Sequence, residues 1–326
     1  MTTIQDIADE VGVSKAAVSR ILNNKGSFSK DTIQKVYRTA KEMGYTLPIE
    51  LQAFEELDFK IIAAVLPLTN KPYYSILASY LEAAAYSFGY SLMICSSLFN
   101  KEKEEVLFNY LKERKVNGII YGSFTDEVKI DSSLPIVTIG HELSSEIPTV
   151  RSDNYMAGVI AARHLHSKGC KNLLYISAYQ VGRSNDERYR GFKDTANNFG
   201  ITVSDYFVEG SESMSDILGT ISKMFTDNSE ADGLFAESHS LALNSLRVGL
   251  DLGIKIPNQL KILGYGNQNL MEFSYPKLSY IKENTEQIAQ TAVSILVDII
   301  EGSERPSTKQ NGVHIVPVSI EQNTTT

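Results

Sequence analysis

Apolar residues near the start of the chain recur at helical spacing. Ile4, Ile7, Ala8 and Val11 fall at i, i+3, i+4 and i+7, one face of a helix over residues 4–10. Thr3 stands where a cap belongs, with Asp6 at the third helical position. Gly12 follows, where a left-handed turn is easiest. Ser14 caps a second predicted helix, Lys15–Leu22, with Ala17, Val18, Ile21 and Leu22 facing inward and Lys15, Ala16, Ser19 and Arg20 facing out. Ser29 caps a third, with Ile33, Val36, Tyr37, Ala40 and Met43 inside, ended by Gly44. Helix, glycine turn, helix and a supporting helix is the helix-turn-helix plan. The same pattern also serves an ordinary three-helix bundle with a solvated face.

From residue 61 the pattern changes. "IIAAVLP", "YSLMICSS", "VNGIIYGS", "LPIVTIG", "NLLYISA", "ADGLFAES" and "LKILGYG" are short apolar runs bounded by turn signals, each read as a buried parallel strand. Helical patterns lie between them at 74–88, 101–114, 155–168, 186–198, 213–225 and 240–252. Strands alternating with helices predict a doubly wound α/β body. Two such sheets would hold a small ligand between them, outside the carboxyl ends of their strands.

Length and charge sharpen this division. A chain of 326 residues suits two or three domains. No apolar run reaches the roughly 18–20 residues of a membrane span, and Thr2, Gln5, Asp6, Asp9 and Glu10 interrupt any leader pattern. A cytoplasmic protein without a membrane partner is expected, and Cys95 and Cys170 read as small buried hydrophobes. The net charge of −8 hides an asymmetry: residues 1–48 hold seven Lys/Arg against five Asp/Glu, a net of +2, on a body of −10. A helix entering a major groove about 12 Å wide needs small residues beside its basic readers. The stretch "VGVSKAAVSR" has both, and no acid.

"TIQDIADEVGVSKAAVSRILNNKGSFSKDTIQKVYRTAKEMGY" resembles the head of the lactose-repressor (LacI/GalR) family of bacterial transcription regulators. Within that family the chain is most similar to sucrose- and galactoside-type sugar regulators. The resemblance implies an all-α helix-turn-helix head (1–47), a hinge (48–60), and a periplasmic-binding-protein-like α/β body (61–326) that binds an effector and dimerises. It implies that Lys15 and Ala16 choose operator base pairs, that Arg20 reads a base edge, and that Thr3, Ser14, Ser19 and Asn23 hold phosphates. The family's hinge helix wedges a Leu into the minor groove. Here the segment is "YTLPIELQAFEELDFK", with Gln52 and Phe54 where an Arg and that Leu are expected. A wedge through Leu51 or Phe54 and a plain linker both remain open, since Glu50, Glu55, Glu56 and Asp58 crowd the segment with charge that phosphates repel.

The body carries the resemblance too, in "SDNYMAGVIAARHLHSKGCKNLLYIS", "RYRGF" and "GLDLGIKIPNQLKILGYGN". Crossovers are implied near 160, 282 and 310, dividing it into two doubly wound parallel-sheet subdomains: one about 61–160 and 285–308, the other about 161–282 and 311–322. Arg188 matches the family's effector-binding arginine. Tyr73 and Tyr74 match an aromatic pair after the first strand, with Ser96 and His141 at strand ends lining the cleft. Some family positions are changed: Glu237-Ser238 replaces Asn-Asp, Gly266-Asn267 replaces Asp-Asp, Gly140 replaces an Asp, and Glu212 replaces an aromatic. Arg188, Glu237 and Asn267 are the expected polar contacts. A buried Glu237 needs a donor such as Arg188 or ligand hydroxyls.

The expected protein is a homodimeric repressor of carbohydrate-utilisation genes, bound to double-stranded operator DNA and released by a small neutral carbohydrate, with no cofactor. A same-fold activator or a regulator needing a co-repressor is the neighbouring alternative. The enzyme alternative has little support: "GYGNQN" lacks the third glycine of a nucleotide loop, and no G-x-S-x-G, P-loop or metal-spaced His/Cys set is present.

Overall fold

The computed structural model describes residues 2–23, 25–26, 28–45, 60–67, 72–122, 134–178, 187–208, 213–266, 274–302 and 312–326. The chain divides into two compact units, residues 1–60 and 61–326. In the head, α1 spans Ile4–Val11, α2 Lys15–Leu22 and α3 Lys30–Glu42. Thr3 caps α1 through a full capping box with Asp6, and Gly12 ends it at φ +80°. Ser14 caps α2 by accepting from the Ala17 amide at 3.1 Å. Ile7, Ala8, Val11, Val18, Ile21, Leu22, Val36 and Ala40 form one buried core. Tyr37 pins α3 to the end of α2 by donating to the Ile21 carbonyl at 3.0 Å.

The body runs β1 (Ile61–Leu66), α4 (Pro72–Ser87), β2 (Ser91–Ser96), α5 (Lys101–Glu113), β3 (Gly118–Tyr121), β4 (Ile136–Ile139) and β5 (Thr149–Ser152). Then come α6 (Asn154–Ser167), β6 (Leu173–Ser177), α7 (Glu187–Asn198), β7 (Val203–Phe207), α8 (Met214–Asp227), β8 (Gly233–Ala236), α9 (His239–Asp251), β9 (Lys261–Gly266) and β10 (Ser279–Lys282). It closes with α10 (Thr285–Ile300), β11 (Val313–Val316) and β12 (Ser319–Glu321). Two six-stranded sheets result, ordered β11-β5-β4-β3-β1-β2 and β12-β10-β9-β8-β6-β7. All pairs are parallel except β10 with β12. The strand order of the second sheet reverses between β6 and β8, which opens a crevice at their carboxyl ends. Helices cover both faces of each sheet: α4 and α10 share one apolar core on the first, while α8 and α9 pack on one face of the second and α6 and α7 on the other.

The chain crosses between sheets after Ser152, after Lys282, and between Val316 and Ser319. The first and third crossings differ from the expected positions near 160 and 310. All of α6 belongs to the second subdomain, because Ala157, Ala161, Ala162 and Leu165 share a core with Tyr175 and Phe192. Val313–Val316, expected in the second subdomain, instead extends the first sheet alongside β5.

Candidate functional site

On the head, Lys15, Ala16 and Arg20 are exposed and Ser19 is half-buried, all on the face of α2 opposite Val18, Ile21 and Leu22. Asn23 ends α2, its side-chain Nδ2 donating to the Ser19 carbonyl at 2.7 Å. The Thr3 amide and hydroxyl both donate to Asp6 Oδ2, at 2.7 and 2.8 Å. Ser14 Oγ accepts from Ala17, and a hydroxyl that accepts can still donate. Leu51 and Phe54 lie outside the described residues.

In the body, two glycines set the position of Arg188. Gly158 on α6 and Gly191 on α7 face each other so closely that a Cβ at 158 would stand 2.1 Å from the Arg188 carbonyl oxygen. A Cβ at 191 would stand 2.1 Å from the Tyr155 carbonyl oxygen. Only glycine permits this approach, and it brings the first turn of α7 against the start of α6. Arg188 Nη2 then donates to Asn154 Oδ1 at 2.7 Å, and Nη1 to the Glu237 carbonyl at 2.6 Å. Its guanidinium carbon lies 3.4 Å from the centroid of the Tyr265 ring. Burial opposes the charge on Arg188, but the surroundings, Tyr265 and Glu237 foremost, outweigh it and raise the pKa further. Nε is buried and has no hydrogen-bond partner among the described residues.

Glu237 follows β8 at the crevice between β6 and β8. Its Oε2 accepts from Ser177 Oγ at 2.5 Å and the Ala178 amide at 3.0 Å, and Oε1 lies 3.9 Å from Arg188. A second buried carboxylate, Glu283, sits at the crossing after β10. It accepts from Ser152 Oγ at 2.7 Å, Tyr265 Oη at 3.0 Å and Thr285 Oγ1 at 3.3 Å. Ser152 ends β5, where the chain leaves the first sheet, so this carboxylate ties two crossings together. Tyr73, from the start of α4 on the first sheet, reaches the same place. Burial and then the charge of Glu283 push its hydroxyl pKa well up. Arg151 on β5 pairs with Glu187 on α7, a further tie between the subdomains.

Arg188, Glu237 and Tyr73 are thus gathered, across both subdomains. Tyr74 meets Tyr73 edge-on at 5.1 Å and is itself buried. Ser96 donates to the Pro67 carbonyl at 3.1 Å, which holds it to the β1 end. His141 follows the turn at Gly140 (φ +86°) and is half-buried. Asn267 and Glu212 lie outside the described residues. Asn154, Tyr265, Ser177 and Glu283 were not among the expected contacts. The first two lie inside the D-N-x-x-G and G-Y motifs, whereas nothing in "IKENT" marks Glu283. Among the described residues, no group of three or more His, Cys, Asp or Glu side chains is placed to hold a metal ion.

The sequence pattern of bacterial regulatory proteins of the lacI family matches residues 3–47, and that of the periplasmic binding protein-like domain matches 162–318. The sucrose operon repressor of Streptococcus mutans is 30% identical over 322 residues, covering 97% of this chain and 97% of that one. The chain belongs to the lacI family of bacterial regulatory proteins. The ribose operon repressor of Halalkalibacterium halodurans is 27% identical, covering 92% of this chain and 91% of its own. A LacI-type regulator from Alkaliphilus metalliredigens, solved with D-xylulofuranose, superposes with a TM-score of 0.73 at 28% identity, covering 82% of this chain and 99% of that one. As a LacI-family member the chain is a transcriptional regulator with a DNA-binding head and a ligand-binding body. These relatives are regulators of transcription rather than enzymes. Among the described residues no helix is long and apolar enough to cross a membrane.

Proposed function

We propose that the protein is a homodimeric repressor of carbohydrate-utilisation genes in the cytoplasm, released from operator DNA by a neutral sugar held at Arg188. The observation that carries this reading is the buried Arg188 Nε, a donor without a hydrogen-bond partner among the described residues, beside a guanidinium stacked on Tyr265. A buried donor left unpaired costs about 1–3 kcal/mol, which an acceptor on a ligand recovers. The carboxylates that face Arg188 are Glu237 and Glu283, so the fixed charge disfavours a phosphorylated ligand and suits hydroxyls, which can donate to both. The names of the sucrose and ribose operon repressors point the same way.

On the head, Lys15, Ala16 and Arg20 read bases, with Ser19, Ser14 and Asn23 on phosphates. Thr3 contributes mainly through its cap, because a phosphate would have to displace Asp6 from both its donors. A sugar that draws the two subdomains together around Arg188 and Tyr73 shifts the dimer away from its operator-bound arrangement. The test is selection from a random duplex library at ~150 mM salt, where non-specific phosphate binding is weak. An enriched two-fold-symmetric site, released by a neutral sugar and not by sugar phosphates, supports the reading. No enriched site, or release by sugar phosphates alone, overturns it.

A further inference from the structure

Arg151 and Ser152 close β5, and successive residues of a strand point to opposite faces. Val150 lies in the apolar core shared by α4 and α10, so Ser152 takes that face and Arg151 the other. Ser152 meets Glu283 at the crossing after β10. Arg151 meets the second subdomain itself, at Glu187, the first residue of α7. Nη1 pairs with Oε2, and Nη2 donates to Oε1 at 3.3 Å, so two nitrogens engage two oxygens. Only 20% of the arginine side chain and 27% of the glutamate are exposed, which keeps solvent screening incomplete. Arg190, one turn on in α7, has Nη2 4.0 Å from the same Oε1 and is 54% exposed. The Glu187 carboxylate thus has two cationic neighbours, one from the other subdomain and one from its own helix.

We propose that Arg151 is a positioning residue for the effector site, its ion pair with Glu187 holding the two subdomains in the arrangement that takes the sugar. A contact within one subdomain persists however the two are placed, and favours neither placement. The Arg151–Glu187 pair exists in one placement only, so its free energy shifts the balance between them. That placement is the one that gathers Arg188, Glu237 and Tyr73. Glu187 also precedes Arg188 in the chain. The same contact therefore steadies the first turn of α7, from which Arg188 reaches Asn154, Glu237 and Tyr265. Without the pair, the sugar-taking arrangement is less populated and more sugar is needed to fill it. This rests on the reading of a sugar-released repressor above.

The test uses the full-length protein bound to its selected operator duplex. D-Glucose, D-fructose, D-ribose, sucrose and cellobiose are titrated for release, and the best releaser is taken forward. Arg151→Gln and Glu187→Gln should each raise the half-release concentration about fivefold, the upper end for a partly shielded pair. The double variant should be no worse than either single one, because each already removes the pair. Arg190→Gln should stay within about twofold of the wild type, since Arg190 and Glu187 share one helix in every arrangement. Operator affinity without sugar should hold or tighten. An unchanged half-release concentration in whichever single variant folds, effects that multiply in the double variant, or an equal rise in Arg190→Gln overturns the inference and leaves the sugar reading standing. A fall in unfolding temperature and operator affinity in place of the raised concentration marks a merely structural role and overturns it too. Failure of every sugar to release or bind the wild type overturns that reading and this one together.

Discussion

The guanidinium carbon of Arg188 lies 3.4 Å from the centroid of the Tyr265 ring, while Tyr265 Oη donates to Glu283 at 3.0 Å. One face of the arginine is thereby fixed, and two of its nitrogens are held by Glu237 and Asn154. Lysine cannot reproduce this geometry, since its ammonium is neither planar nor forked. Arg188→Lys should raise the sugar concentration needed for operator release at least tenfold, about 1.4 kcal/mol. Operator affinity without sugar should stay within about twofold. Fluorescence anisotropy of labelled operator, with and without sugar, checks both.

Gly158 and Gly191 hold α6 and α7 at backbone contact. A methyl group at either meets main-chain atoms at 2.1 Å, which no side-chain rotation relieves. Gly158→Ala should cost more than the roughly 1–3 kcal/mol of ordinary overpacking, and should weaken the sugar response because the nearest atom belongs to Arg188 itself. Thermal unfolding with and without sugar measures the two effects. Gly169→Ala on the same subdomain is a contrast: its cost comes from φ +82°, with nothing within 4 Å of the added methyl.

On the head, Arg20→Ala should relax the sequence preference at one operator position by about 1–3 kcal/mol, the worth of a bidentate Arg–guanine contact. Ser14→Ala removes the α2 cap, and should lower both head stability, by about 0.5–2 kcal/mol, and binding to all sequences alike. Repeating the duplex selection with Arg20→Ala, and following far-ultraviolet circular dichroism on heating for Ser14→Ala, separates reading from folding.

His164 supplies a pH dependence. Burial, and then the neighbouring Lys168, lower its pKa below 6.5, and Nε2 lies 2.9 Å from Thr326 Oγ1. The folded body thus favours the neutral ring. Its contribution to stability is fully present above pH 6.5 and is lost as pH falls from there through the lowered folded value. Urea unfolding between pH 7 and 5 should show this slope, and His164→Gln should reduce it.

The head's three helices follow directly from its caps and apolar spacing: Thr3, Ser14 and Gly12 each act where the sequence put them. In the body, continuous apolar runs such as "IIAAVL" mark strands buried on both faces. The strands that escaped are the polar or marginal ones. β7, β11 and β12 lie at sheet edges, β5, "TVRS", carries an arginine for the pairing with Glu187, and β10, "SYIK", is a four-residue strand beside β9 that ends in a lysine. The first and third crossings depart from the expected positions near 160 and 310 for the same reason, since neither β5 nor β11 forms a continuous apolar run. Arg188 and Glu237 stand in the sequence at a motif and a strand end, and the fold brings their side chains to 3.9 Å. Glu283 is not marked in the sequence, because its place at the crossing comes from tertiary neighbours, Ser152 and Tyr265.

The proposed function requires one equilibrium that links the head's operator affinity to sugar held at Arg188. It is tested by measuring operator affinity with and without the best-releasing sugar, and that sugar's affinity with and without operator. Thermodynamic linkage requires both ratios to be equal, and coupling of this kind is typically about 5–150-fold. The wild type should give equal ratios in that range, and Arg188→Lys should lose sugar affinity. A sugar that binds with the same affinity whether or not operator is present would contradict it.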